Sequence, residues 1–434
     1  MINYSLRSLL QDDINIISSD MDYVIRVLDH DINLDEYKVL LKTVKHIGVS
    51  DNFKKIIKYF KVKDGETPAG FEVKYNMLED NLLQVDLERN ISYDKNGQKR
   101  PTKFIYSADT ANPYELEPIK HLIGNLTCNP GIIYDLFINN PKANVGHKYK
   151  NRNEVMKELG NILGPGCDIS VEVNDPYADF NKILEEAEEF KEMLSEYRVV
   201  IKVPHTGPVT KDNVNQLLTG DKRLDTRWNA AETKDYLHGH NLALKLKEHG
   251  YRVNYTLMFE PWQTGMALQA KPYFINSFVR QRYGVTNYIN GLLFAFEKTD
   301  DDRFLEELRK FMLQWDFLSA NDKNIDYHSV KRIAQETVAY RKINEQEGFD
   351  GMDGVRHNLR MLKSSNLKDT RLIICSIEGS RMYPELDKLM AEPEFQDMTD
   401  KIVITTEPSY LAQNTSAPQV VTYQRRFMNA VNNA

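Results

Sequence analysis

The sequence predicts an α/β protein built on a closed (β/α)8 TIM-type barrel, and three observations predict it. Eight short β-rich apolar runs recur between residues 104 and 405. The connectors between them carry helical or polar stretches, and polar side chains close the apolar runs, where a barrel places its reactive groups. Eight parallel strands joined by helices suit a closed barrel better than an open sheet, although periodicity alone does not separate the barrel from a doubly wound fold.

Residues 1–100 read as an N-terminal extension, mainly helical and then short strands. Tyr37, Leu40, Leu41, Val44 and Ile47 fall at helical spacing, and Gly48 is the expected helix end. From residue 72 to 93 the pattern is strand-like and interrupted, and Asp94-Lys95-Asn96-Gly97 is a turn signal. The barrel is placed at 101–434, with strands expected at 104–108, 124–127, 168–173, 199–203, 252–257, 273–279, 371–376 and 401–405. Between the third and fourth, Phe180, Ile183, Leu184, Ala187, Phe190, Met193, Leu194 and Tyr197 form one apolar stripe, as on a helix covering a sheet. Two connectors, near 208–250 and 280–369, are too long for a bare βα unit and are expected to be helical insertions able to roof a site. The second carries Phe304, Leu305, Leu308, Phe311, Met312 and Trp315 at helical spacing.

With 434 residues and 41% apolar content the chain can bury a large core. Its 56 basic and 63 acidic side chains give a net charge of −7, without a block of like charges to follow a phosphate backbone or an anionic membrane, so neither nucleic acid nor membrane is expected as a partner. Cys128, Cys167 and Cys375 are far apart and suggest neither a disulfide scaffold nor a zinc site. The start, Met-Ile-Asn-Tyr-Ser-Leu-Arg, lacks a basic and apolar leader, and no long apolar run occurs, so a soluble, cytoplasmic protein is expected.

Lys202 is the sharpest chemical feature. Flanked by Val199, Val200, Ile201 and Val203, it must either snorkel outward or be held in a dry interior. There, desolvation is expected to lower its pKa and release a neutral amine able to attack a carbonyl. The bland reading is a partly exposed strand lysine paired with a carboxylate. Imine chemistry also needs acid and base, and Asp109 and Glu172 close or interrupt two other apolar runs. Their ordinary alternatives are a helix cap before Tyr114 for Asp109 and an outward-pointing carboxylate for Glu172. Asn129, Asn254 and Thr256 also stand at or near strand ends.

At these residues the chain resembles the transaldolase family. The segments are Ala108-Asp109-Thr110-Ala111, Leu126-Thr127-Cys128-Asn129-Pro130-Gly131-Ile132, Val171-Glu172-Val173, Val200-Ile201-Lys202-Val203-Pro204, Val253-Asn254-Tyr255-Thr256-Leu257-Met258-Phe259 with Gln263, Tyr273-Phe274-Ile275-Asn276-Ser277-Phe278-Val279 and Ile374-Cys375-Ser376-Ile377. They run in the family's order over roughly 104–410. The resemblance implies transfer of a dihydroxyacetone unit between sugars, without metal or organic cofactor, in the pentose phosphate part of carbohydrate metabolism. It implies Lys202 as the Schiff base, Asp109 as acid and base for carbon–carbon cleavage, and Glu172 with Thr256 as holders of a proton-shuttling water. Asn129 and Asn254 are implied to bind the dihydroxyacetone hydroxyls, and Ser376 to touch substrate.

The phosphate positions depart from the family's pattern. Glu378 stands where sugar-phosphate users place an arginine, Asn276 where a small hydroxyl is expected, and Gln281 at a second arginine position. A carboxylate there repels a dianion that an arginine would clamp. Arg280, Arg282 or Arg381 can compensate by a short shift, so Asn276, Arg280 and Arg282 are added to the expected substrate-binding residues. Sugars or sugar phosphates are thus the expected partners, and self-association into a homo-oligomer stays open. The main expectation is a transaldolase. Its rivals are an aldolase of the same family acting on fructose 6-phosphate or on unphosphorylated or modified sugars, and a catalytically silent barrel serving as a binding module.

His238-Gly239-His240 has no third ligand in view, so no metal is assigned. His205, just past Lys202, is expected either to contact substrate or merely to hydrogen-bond nearby, and Trp262 to pack between helices. Gly164-Pro165-Gly166 reads as a turn and lacks phosphate-loop spacing.

Overall fold

The computed structural model describes residues 4–10, 14–60, 64–68, 70–90, 93, 99–195, 197–226, 231–341, 352–414 and 416–433. In the extension, strands β1 (Tyr4–Ser5) and β3 (Asp31–Ile32) pair with each other. Strands β2 (Asn15–Ile16), β4 (His46–Val49), β6 (Leu82–Arg89) and β5 (Phe71–Met77) form a sheet in that order, parallel except for the β5–β6 pair. The extension therefore carries a mixed sheet beside its helices. The expected helix is Leu34–Thr43, and its end differs from the expectation. Val44 is already extended, and Gly48 lies inside β4, where a Cβ would come within 2.8 Å of Ile17. The missing side chain serves packing there, not a helix cap. The Asp94–Gly97 turn signal lies outside the described residues, though Tyr93 and Lys99 on either side form an antiparallel bridge.

The barrel is β7 (Ile105–Asp109), β8 (Ile123–Thr127), β9 (Asp168–Glu172), β10 (Arg198–Pro204), β11 (Val253–Thr256), β12 (Phe274–Phe278), β13 (Arg371–Cys375) and β14 (Ile402–Thr406). All neighbours are parallel, and β14 closes on β7. All eight expected strands are present with ends shifted by about one residue, as at Val279, which opens the helix Val279–Thr299 instead of ending β12. The helix expected between the third and fourth strands is Phe180–Met193, with Ile183, Ala187 and Phe190 buried.

Strand alternation sorts the barrel interior into layers. Ile105, Val200, Phe274, Ile373 and Val403 form an apolar layer. Two residues further along β7 and β14, Ser107 and Thr405 join hydroxyls at 2.7 Å, and Asn125 on β8 donates to Ser107 at 2.7 Å. Lys202 follows Val200 by the same interval.

The extension has its own core, including Leu6, Ile47, Phe53, Leu83 and Val85. It meets the barrel at the N-terminal ends of the strands. There Arg89 of β6 pairs with Asp168, the first residue of β9, and lies 4.1 Å from the Tyr273 ring centroid. The long insertion folds as Val279–Thr299, Arg303–Gln314, Tyr327–Arg341 and Met352–Lys363, the first three sharing a core around Ile289, Leu308, Met312 and Val330. The shorter one contains Val214–Leu218, Thr233–Tyr236 and His238–Glu248 and leans on the longer through Arg223–Asp316 at 2.7 Å. Among the described residues, no helix is long and apolar enough to cross a membrane.

Candidate active site

Lys202 is buried inside the barrel at 6% exposure, so the snorkelling alternative is excluded. Its neighbours in register are Glu172 on β9 and Asn254 on β11. The Nζ lies 3.3 Å from a Glu172 carboxylate oxygen and 3.5 Å from the Cys128 carbonyl. Burial pulls the Lys202 pKa down, but attraction to Glu172 and then Asp109 outweighs it, and the net direction is upward. The expected fall is therefore corrected. Desolvation is the largest single influence, yet two carboxylates were available to oppose it, and the resting amine is an ammonium.

Asp109 ends β7, and burial pushes its carboxyl up to about 6, against the pull of Lys202 and with repulsion from Glu407 and Glu172. It caps no helix. Asn112 does so instead, its Oδ1 accepting the Tyr114 N–H at 3.0 Å. Glu172 turns inward to Lys202 rather than out to solvent, and its main-chain carbonyl accepts from Arg152 at 3.3 Å. Thr256, fully buried at the end of β11, has an Oγ without a partner among the described residues, as do Thr127 and Thr406 at the ends of β8 and β14.

The asparagines divide. Asn254 donates to Ser170 at 3.3 Å and accepts from Asn276, so both amides belong to the interior network, and Asn276 also reaches the Tyr255 carbonyl at 3.3 Å. Asn129, just past β8, uses its Oδ1 to accept the Ile132 N–H at 2.9 Å, leaving its amide N–H groups for other partners. Ser376 follows β13 with φ of 55°, a conformation that a non-glycine residue adopts at a cost. Its carbonyl accepts the Arg280 N–H at 3.1 Å. Leu257 is in the same region of backbone space immediately after β11, with φ of 60°.

The two arginines part company. Arg280 is exposed, close enough to lower the Asp109 pKa, and its guanidinium donates to Glu378 at 2.7 Å. Arg282, 1% exposed, is drawn into a buried cluster, 2.7 Å from Glu260 and 2.9 Å from Asp353, with Arg341 also on Glu260. The structure does not bring Arg282 together with Arg280 and Lys202. Protein carboxylates had no sequence signature that would have revealed them as its partners.

The remaining histidines also separate. His205 hydrogen-bonds the Tyr255 hydroxyl at 2.9 Å, and burial, then His240, lowers its pKa to about 4. His238 bonds the Pro176 carbonyl at 2.6 Å and stacks on Tyr177. Among the described residues no group of three or more His, Cys, Asp or Glu is placed to hold a metal ion. Trp262 is 54% exposed instead of packed between helices; it precedes the helix Gln263–Gln269, whose buried residues are Thr264, Ala267 and Leu268.

An inward lysine on the fourth barrel strand, facing carboxylates on the first and third, can support amine chemistry on a carbonyl. Residues 106–290 match the transaldolase/fructose-6-phosphate aldolase family model. The match spans β7 to β12 and so includes Asp109, Asn129, Glu172, Lys202, Asn254, Thr256, Asn276, Arg280 and Arg282; Ser376 and Glu378 lie beyond it. This stretch of the chain is therefore similar to that aldolase-type family. No curated protein matched the chain.

Sequence reasoning missed Glu407, one residue past β14, the Ser107, Asn125 and Thr405 cluster, and Ser170 as the partner of Asn254. These polar positions were detectable. Ser107, Asn125 and Ser170 lie two residues before Asp109, Thr127 and Glu172, on the same strand face.

Proposed function

We propose that the chain is a lysine Schiff-base transaldolase, moving a dihydroxyacetone unit from a ketose donor to an aldose acceptor. The supporting observation is the buried Lys202 amine, 3.3 Å from Glu172 and under the electrostatic influence of Asp109. A water held by Glu172 and Thr256 carries the ammonium proton to Glu172, and the freed amine attacks the ketose carbonyl carbon C2. The carbinolamine expels one water to give an iminium. Asp109, ionised above pH about 6, removes the C4 hydroxyl proton. The C3–C4 bond then breaks, the C4 oxygen becomes the carbonyl of the departing aldose, and the bonding pair passes into the enamine. That enamine adds to the acceptor aldehyde, and one water returns to free the product and the amine. Asn129 and Asn254 hold the hydroxyls of the retained unit, and Ser376 contacts the substrate.

Intact mass after borohydride treatment tests this reading. Fructose 6-phosphate, fructose or dihydroxyacetone is expected to leave a reduced three-carbon adduct on the wild type and none on Lys202→Ala. Absence of an adduct with every donor overturns the reading and favours a silent barrel.

A second reading, an aldolase of the same family on unphosphorylated or modified sugars, is favoured by one observation. The Arg280 guanidinium is already engaged by Glu378 at 2.7 Å. On this reading, Glu378→Arg raises kcat/KM for a phosphorylated donor by roughly 10–100-fold, the worth of a hydrogen bond to a charged group. Free dihydroxyacetone released without any acceptor aldehyde marks the aldolase; strict acceptor dependence marks the transaldolase.

A further inference from the structure

A cavity of about 580 Å³ lies between the extension and the N-terminal ends of β11, β12 and β13, at the end of the barrel opposite Lys202. Its size is in the range of small-molecule sites. Lys247, Arg252, Lys271 and Lys368 line it, and among the described residues none of the four makes an ion pair. Lys247 donates to the Lys271 carbonyl at 2.6 Å, and Arg252 rests on the rings of Tyr59 and Phe60 at 5.8 and 5.4 Å. Arg89 also lines the cavity, with buried Nε and Nη1 atoms that have no partner among the described residues. Against these stand two carboxylates, Asp369 and Glu88, the latter 3.7 Å from Lys74.

Burial lowers the pKa of both Arg252 and Lys247, and for Lys247 the neighbouring Lys271 adds to the fall. These cations are held close together and outnumber the two carboxylates of the lining, of which Asp369 opposes the fall at Lys247 and Arg252, a situation that a bound multivalent anion relieves. We infer that this cavity binds a small phosphate ester, of sugar to nucleotide size, separately from the reaction site. The phosphate would meet Lys247, Arg252 and Lys271, and the rest of the molecule would lie between the extension and the barrel.

Ligand-dependent unfolding of the full chain, with isothermal titration calorimetry, tests the assignment. The probes are fructose 6-phosphate, ADP, inorganic phosphate and unphosphorylated fructose. At least one phosphate ester is expected to raise Tm in a saturable way, because a ligand bound to the folded state stabilises it by mass action. The shift is expected to persist in Lys202→Ala and Arg280→Ala, which alter the reaction end, and to vanish in Lys271→Glu/Lys368→Glu, whose positions are exposed and compatible with folding. The sugar phosphate and nucleotide arms identify the source of the ester. No shift with either ester, or a shift that survives the double charge reversal, overturns the inference; a borohydride adduct on Lys202 bears on the reaction site alone.

Discussion

Two ion pairs sit on the same two strands at opposite ends of the barrel. Asp168 and Arg198 open β9 and β10 in register, and Glu172 and Lys202 follow four residues later, about 13 Å along the strands at ordinary rise. Asp168, Arg198 and Lys202 are buried and Glu172 nearly so, but the surroundings of the two pairs differ. Asp168 receives Arg198 at 3.0 Å, Arg89, and the Tyr273 hydroxyl at 3.4 Å, while Arg198 also donates to the Gly166 carbonyl. Lys202 has Glu172 and one long contact to a carbonyl, amid threonine hydroxyls without partners among the described residues. A densely bonded pair fixes geometry. A sparsely bonded one can exchange a proton and accept a new covalent partner without dismantling a network.

The largest expected effect falls at the sparse end: Asp109→Asn lowers kcat by roughly 10²–10⁴-fold, the usual share of a general acid or base. The Lys202 adduct with dihydroxyacetone is still trapped, because no carbon–carbon bond is broken in forming it. Loss of the adduct as well would assign Asp109 to imine formation instead.

At the dense end, Asp168→Ala leaves two guanidinium groups without their carboxylate and is expected to cost about 3–5 kcal/mol in urea unfolding. Lys202→Met should cost less, about 1–3 kcal/mol, the penalty for one unsatisfied group. Equal costs would remove the contrast between the two pairs.

The pH dependence sharpens the comparison further. Folded Asp109 titrates near 6, against about 3.9 for an unperturbed aspartate. Its protonated form is therefore favoured by folding, and that contribution is complete below pH about 4 and lost as the pH rises through 6. Asp109→Asn is expected to be more stable than wild type by on the order of 1–2 kcal/mol at pH 8, allowing for solvent screening, and equal to it at pH 4. A difference independent of pH would point to packing.

The smallest effect is expected from Thr256→Val. Because the hydroxyl has no partner among the described residues, stability should change by less than about 1 kcal/mol, while adduct formation, followed by mass over time, slows. A large stability loss would give Thr256 a structural role.

The barrel was legible because each strand is a short β-branched run bounded by turns or helices, and the local pattern agrees with the global fold. Lys202 was legible for a related reason, since a charge inside such a run must be accommodated by something, whereas Asp109 and Glu172 became legible only through their order and spacing with it. What was hidden depends on distance in the chain. The Arg282 partners Glu260 and Asp353 are set by how insertions pack, and the rise of the Lys202 pKa by which carboxylates face it across the barrel. Trp262 was misread because an aromatic residue beside proline gives no directional signal. The β4 strand was missed because His46-Ile47-Gly48-Val49 is too short to show alternation, and its parallel pairing with β6 skips over a helix.

The extension's core is complete within residues 6–87, so during synthesis it can fold before any barrel strand has been made. Barrel closure must instead await β14, which pairs with β7 from almost three hundred residues away, a slow kind of contact to form. Until β9 has been made, Arg89 stands on a finished surface with Asp168 still to come, which makes the extension a preassembled foundation on which the later strands can be laid in order.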